Sequence, residues 1–163
     1  MNSKMHYSLL DGSVISVRYR NEESAVTNLP EIFSGLLEET IVSFEALQPH
    51  QQQAWFSFLV QLAAMAVARE NDGEIPATPD HWRKLLKNLA DGSEAAWHLV
   101  VDDVSQPAFM QPPVPEGSLK KAKYSSDIHT PDELDMLVTS KNHDLKGNRI
   151  LRPDPEHWLY ALL

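Results

Sequence analysis

The chain has 163 residues, 42% of them apolar, and carries 14 basic against 23 acidic side chains, a formal charge of -9. That length allows one domain or little more, with enough apolar residues for a packed core. The absence of cysteine excludes disulfide staples, thiolate nucleophiles, cysteine-ligated zinc and iron–sulfur clusters. The longest apolar stretch, Ala54 to Ala68, is interrupted by Ser57 and Gln61. It falls short of the roughly 20 residues that span lipid. The opening MNSKMHYSLL lacks the apolar run and cleavage site of a secretory signal. No membrane association is expected, and a cytoplasmic location suits this pattern.

Tyr7, Leu9 and Leu10 precede Asp11-Gly12, a turn signal. Ile15, Val17 and Tyr19 then alternate with Ser16, Arg18 and Arg20, the period-two pattern of a half-buried strand. A hairpin over the first twenty residues is predicted, its face buried by helices or further strands. Asn28 to Leu37 reads as a short helix with Asn28 as cap, Pro30 in the first turn and Ile32, Phe33, Leu36 and Leu37 on one side. Gly35 weakens it. Thr40 to Phe44 fits a strand or a connector equally.

Pro49 to Arg69 has the clearest periodicity, with Trp55, Leu59, Leu62 and Ala66 at three- and four-residue spacing. Phe56, Val60, Ala63, Ala64 and Val67 widen that face, which predicts the central buried helix of the domain. Thr78-Pro79 opens another helix, with Trp82, Leu85, Leu86 and Leu89 inward and Arg83, Lys84 and Lys87 outward, and Asp91-Gly92 stops it. Glu94 to Val100 is expected to continue as helix, with Trp97 and Leu99 toward the core. Asp102 to Ser118 holds four prolines and Gly117, so interior helix and central strand are excluded there. Phe109 and Met110 mark it as a loop packed down on a surface. Thr130-Pro131-Asp132-Glu133 predicts a capping box before Leu134, Met136, Leu137 and Val138. Asp154-Pro155-Glu156 starts a last helix that carries Trp158, Leu159, Leu162 and Leu163.

No glycine-rich phosphate loop is present. His129, His143 and His157 stand 14 apart, and no pair has the spacing of a zinc helix. Ser140 lies near His143 without the glycines of a nucleophile elbow. An enzyme and a resident cofactor are therefore not expected. From Ser118 to Arg152 seven basic residues face five acidic ones, a local surplus of two on an acidic chain. Within it, Thr139 to Gly147 is dense in donors. Lys141 and Lys146 suit phosphates, Asn142 offers a donor and an acceptor to a base edge, and Ser140 and His143 add short hydrogen-bonding groups.

The segment Asp102-Asp103-Val104-Ser105-Gln106-Pro107-Ala108-Phe109-Met110-Gln111-Pro112 resembles the Pro-x-Phe-Met-Gln segment of the large (CasA family) subunit of the type I-E CRISPR Cascade surveillance complex. Met1 to Arg20 is similar to that family's N-terminal strands, with Ser13-Val14-Ile15-Ser16-Val17 in place of the usual Trp-Ile-Pro. Asn28 to Leu37 and Gln48 to Arg69 look like its first short helix and its long Leu/Ala-rich helix. Thr139 to Gly147 falls where the family has its target-recognition loop, and Trp158 to Leu163 resembles the start of the next helix. The resemblance covers this whole chain but about a third of a family member, so residues 1–163 are expected to be an N-terminal portion. The family's glycine-rich wedge and C-terminal helical bundle are absent from it.

The resemblance implies a non-enzymatic subunit that reads the protospacer-adjacent motif on target duplex DNA and helps open the duplex. Its partners would be other Cascade subunits, the CRISPR RNA and a recruited helicase–nuclease. The DNA-binding residues would be Ser140, Lys141, Asn142, His143 and Lys146. A protein–protein scaffold without nucleic-acid contact is the alternative. The expected fold is α/β of the α+β kind, a small N-terminal antiparallel sheet packed with several helices. The apolar face of the last helix, Trp158 to Leu163, is expected to lie exposed or against a neighbour, since its own partners are expected to lie downstream.

Overall fold

A computed structural model describes residues 6–70, 73–115, 118–134, 150 and 152–163. Strand β1 (Ile15–Tyr19) is central, with β2 (Ser24–Thr27) and β3 (Ile41–Phe44) antiparallel on either side. Ile15 pairs with Thr27 and Val17 with both Ala25 and Phe44. The alternation in β1 works as the pattern predicts: Ile15 and Val17 are fully buried, Tyr19 is half-buried, and Arg18 points out to bind Glu45. The partner differs from expectation. β1 pairs with β2, and residues 6–9 lie instead against 97–100, through Leu9 N–H to the Trp97 carbonyl and a bridge between Ser8 and His98. A four-residue edge strand of sequence SAVT carries too little apolar pattern to announce itself.

Helix α1 (Leu29–Leu37) starts where Asn28 Oδ1 accepts the Glu31 N–H at 3.1 Å. Gly35 has a packing role that outweighs its propensity cost of about 1 kcal/mol. A Cβ there would sit 2.7 Å from Ile41 Cδ1 and 2.9 Å from Cγ1, so glycine lets α1 close onto β3. Helix α3 (Pro79–Leu89) is capped by Thr78 and buries Trp82, Leu85 and Leu86, with Trp82 stacked on Phe33 of α1 at 4.6 Å. Its outward Arg83 holds Asp11 through two bonds of 2.5 and 2.9 Å.

Helix α2 (Gln52–Arg69) follows a single 3-10 turn at Pro49–Gln51. It buries Trp55, Leu59, Leu62 and Ala66, the stripe the spacing predicts. It is not buried all round, however. Phe56 is 46% exposed, Met65 53% and Val60 69%. The sheet and α3 cover one side of α2, and no other described element covers the opposite side.

Glu94 to Val100 forms only a 3-10 turn, Ala95–Trp97, before turning extended at His98. The pull is tertiary: His98 and its neighbours pair with residues 6–9 and with Phe109, whose N–H binds the His98 carbonyl at 2.8 Å. Trp97 and Leu99 are buried as expected.

Helix α4 (Pro155–Ala161) departs in part from the expectation for its apolar face, since Trp158, Leu162 and Leu163 stay half-buried while other residues pack into the core. Leu159 is fully buried, Tyr160 nearly so, and the Tyr160 ring meets Trp55 edge-on at 5.2 Å. The docking is polar as well as apolar. Buried Glu156, 6% exposed, accepts both the Ser16 N–H at 2.8 Å and the Ser16 hydroxyl at 2.7 Å. The result is an α+β fold, a three-stranded antiparallel sheet packed with helices. Among the described residues no helix is long and apolar enough to cross a membrane.

Candidate nucleic-acid interface

Ser140, Lys141, Asn142, His143 and Lys146 all lie outside the described residues, as do Met136, Leu137 and Val138. The residues that flank this segment are described, and they meet. On the N-terminal side a 3-10 turn, Pro131–Glu133, replaces the start of the predicted helix. Thr130 does not cap it by accepting an N–H. Its hydroxyl donates to Glu133 Oε1 at 3.3 Å, while Glu133 Oε2 accepts the His129 N–H at 3.4 Å. Asp132 turns inward, is buried, and accepts the Ile150 N–H at 2.7 Å. One hydrogen bond thus joins residue 132 to residue 150, on either side of that segment. A backbone N–H bound to a carboxylate is a charge-assisted contact, stronger than a neutral pair.

On the C-terminal side the chain runs directly into α4. His157 Nδ1 accepts the Asp154 N–H at 2.9 Å, reciprocating the Asp154 cap on the helix. That bond uses one ring nitrogen of His157, Nδ1, to close the first turn of the helix. Among the described residues no three His, Asp or Glu side chains gather as a metal-holding cluster. Glu156 then anchors α4 to β1. Both ends of the 135–149 segment are therefore tied to buried parts of the molecule.

The proline-rich segment is arranged residue by residue. Phe109 is buried between Phe58 and Trp97. Gln111 Nε2 donates to the Leu99 carbonyl at 3.1 Å and to the Phe109 carbonyl at 3.3 Å. Met110 sits between them at φ +55° with its side chain exposed. A non-glycine residue in the left-handed region costs on the order of 1 kcal/mol, so the Phe109 and Gln111 anchors hold it there.

Beside this segment lies a group that the reading of the sequence did not single out. A turn closed by Ala122 N–H to the Ser118 carbonyl and Tyr124 N–H to the Leu119 carbonyl exposes Lys120, Lys121 and Lys123. Tyr124 follows with an exposed ring. Among the described residues none of these lysines pairs with a carboxylate. Lysines interleaved with an aromatic ring are the mixture that tracks a phosphate backbone and stacks a base. The run Lys-Lys-Ala-Lys-Tyr carries that signal within the basic surplus of Ser118 to Arg152.

Elsewhere several charges are paired. Asp11 is held below the usual carboxylate range by its hydrogen bond to Arg83, and Glu94 by Lys87. The His98 ring stacks on His6 at 5.4 Å, and burial lowers its pKa, helped by the neighbouring His6. No family model, curated protein or solved structure matches this chain.

Proposed function

We propose that the chain is the DNA-recognition part of a large subunit in an RNA-guided, type I-E-like CRISPR surveillance complex. It reads the protospacer-adjacent motif and supports opening of the target duplex. The observation that supports this reading is the anchoring of the described residues on either side of Ser140, Lys141, Asn142, His143 and Lys146: Asp132 binds Ile150, and Glu156 of the helix that follows binds Ser16. A recognition loop needs such anchoring, because an unanchored loop loses affinity to the entropy of ordering it on DNA. The exposed lysines at 120, 121 and 123 add a sequence-independent attraction for phosphate. Overall acidity is compatible with this role when the subunit docks on a larger cytoplasmic ribonucleoprotein and presents one positive region. The chain performs no bond-breaking step; cutting falls to a recruited helicase–nuclease.

The test is the affinity of reconstituted complex for correct-motif and wrong-motif duplexes. Lys141→Ala with Lys146→Ala is expected to weaken both equally and to reduce the salt slope. Asn142→Ala is expected to lose about 1–3 kcal/mol of discrimination with little change for the wrong motif. Unchanged affinity in the double lysine variant removes the loop from DNA. The scaffold reading then stands, favoured by the uncovered side of α2.

A further inference from the structure

Helix α2 carries no charged residue from Gln52 to Ala68, although 23% of the chain is charged. Its outer side instead presents Phe56, Val60, Ala64, Met65 and Ala68. Between α2, the last turn of α1 and Ile75 runs an open apolar groove of about 630 Å³. Its wall on α2 repeats Leu59 and Val60, Ala63 and Ala64, Val67 and Ala68 at four-residue spacing. That is an i±4 ridge with small side chains at its middle, the surface against which another helix seats closely.

The character of the rim is opposite to that of the floor. α1 and α2 both end here, with C-caps Glu38 and Glu70 and their last carbonyls, and α1 has no basic residue in its last turn. Glu74 lies between Gly73 and Ile75, which both line the groove. The nearby cations are occupied: Arg69 by Asp91 and the Leu89 carbonyl, Arg20 by Glu39. Neither Glu38 nor Glu70 is in an ion pair among the described residues; Glu70 accepts the Asn88 amide. An apolar trough edged by carboxylates and helix C-termini favours cations at its borders.

We propose that this groove docks an amphipathic helix of a partner protein, apolar along one stripe and rich in lysine or arginine on both flanks. An extended strand does not fit, because strand addition needs a free sheet edge and these walls are helices whose backbones are already bonded. A polyproline segment does not fit, because the aromatic rings at the site, Phe33 and Trp82, are buried in a mutual stack and leave aliphatic walls. A second copy of the chain does not fit, because it brings the same acidic rim and a further net charge of -9. The inference is independent of the DNA-binding proposal.

The test uses the whole chain and a labelled 18-residue Leu/Lys amphipathic helix as probe. A Leu/Glu counterpart and a scrambled Leu/Lys peptide of equal composition serve as controls, all read by fluorescence anisotropy. Saturable one-to-one binding of the Leu/Lys helix is expected, at least tenfold tighter than either control. Val60→Glu with Ala64→Glu is expected to weaken it at least tenfold with an unchanged melt. The sign discriminates, since added carboxylates would tighten a purely electrostatic contact. Should that variant melt lower, Val60→Cys gives the answer on an otherwise cysteine-free chain. Its alkylation must slow at least tenfold with the Leu/Lys helix present, while Val26→Cys on the exposed sheet face stays unaffected. Equal binding by the scrambled peptide, no binding at about 100 μM, or an unprotected thiol in the Val60→Cys variant overturns the proposal. So does self-association of the chain that the paired glutamates abolish, which would make the occupant a second copy.

Discussion

The bond between Glu156 and Ser16 joins residues 140 apart in sequence and offers a stringent check on how α4 is held. Glu156→Ala removes an acceptor of two hydrogen bonds at a position 6% exposed, where solvent screens little. Each bond to a carboxylate contributes about 1.5–3 kcal/mol. The Ser16 hydroxyl is free to rotate toward another acceptor, but its N–H is fixed in β1 and is left unsatisfied, at about 1–3 kcal/mol. Loss of the carboxylate's own burial penalty offsets part of this. The net expectation is about 3 kcal/mol, a large share of the roughly 5–15 kcal/mol of a whole domain. At this chain length that lowers Tm by roughly 6–12 °C. Glu156→Gln keeps one acceptor and is expected to cost about 1 kcal/mol, as is Ser16→Ala, which keeps the N–H bond. Urea unfolding followed by tryptophan fluorescence measures all three, and the double variant Ser16→Ala with Glu156→Ala gives their coupling. A loss below about 1 kcal/mol for Glu156→Ala, or no coupling with Ser16→Ala, refutes the view that this contact docks α4.

Three further outcomes are expected. Burial holds the His98 pKa below its ordinary value of 6.5, so the unfolded chain takes up this proton first as pH falls. Stability contributed by neutral His98 is full above pH 6.5 and is lost as pH falls through the folded value; His98→Gln should flatten the slope of Tm against pH below 6.5. Met110→Gly should raise stability by up to about 1 kcal/mol, because glycine adopts the observed φ of +55° without strain; a loss in equilibrium unfolding would show that the Met110 side chain supports the fold. Gly35→Ala should destabilise by at least about 1 kcal/mol despite alanine's better helix propensity, since the new Cβ meets Ile41 of β3; a stabilised variant would show that α1 can shift away at no cost.

Of the candidate interface, the sequence offered the donor-rich segment from Ser140 to Lys146, and a family resemblance gave it a role. Those residues lie outside the described part of the structure. The contacts that flank them are only half legible in the sequence. Asp132 and Asp154 read as helix-start residues, and Asp154 is one, but Asp132 turns inward to accept the Ile150 N–H. A carboxylate at a turn carries no mark of a distant backbone donor. Tyr124 follows three lysines that show in the sequence as charge; that its ring stands exposed beside them is visible only in the structure.

Features written within three or four residues are legible from the amino acids alone. The alternation of Ile15 and Val17, the caps at Asn28 and Thr78, the Trp55–Ala66 stripe and the non-helical run of prolines all answer to local backbone bonding and side-chain direction. The pairings, by contrast, come from contacts between distant segments. SAVT becomes a strand because β1 offers it a ladder, and Ile41–Phe44 becomes one on the other edge. His98 leaves helix because residues 6–9 and Phe109 supply its hydrogen bonds. Phe56 and Val60 share the apolar pattern of Trp55 and Leu59, yet lie exposed because the sheet and α3 cover one side of α2. Periodicity reports that a side chain is apolar; which face is covered depends on elements far away in the chain, whose positions a local pattern does not contain.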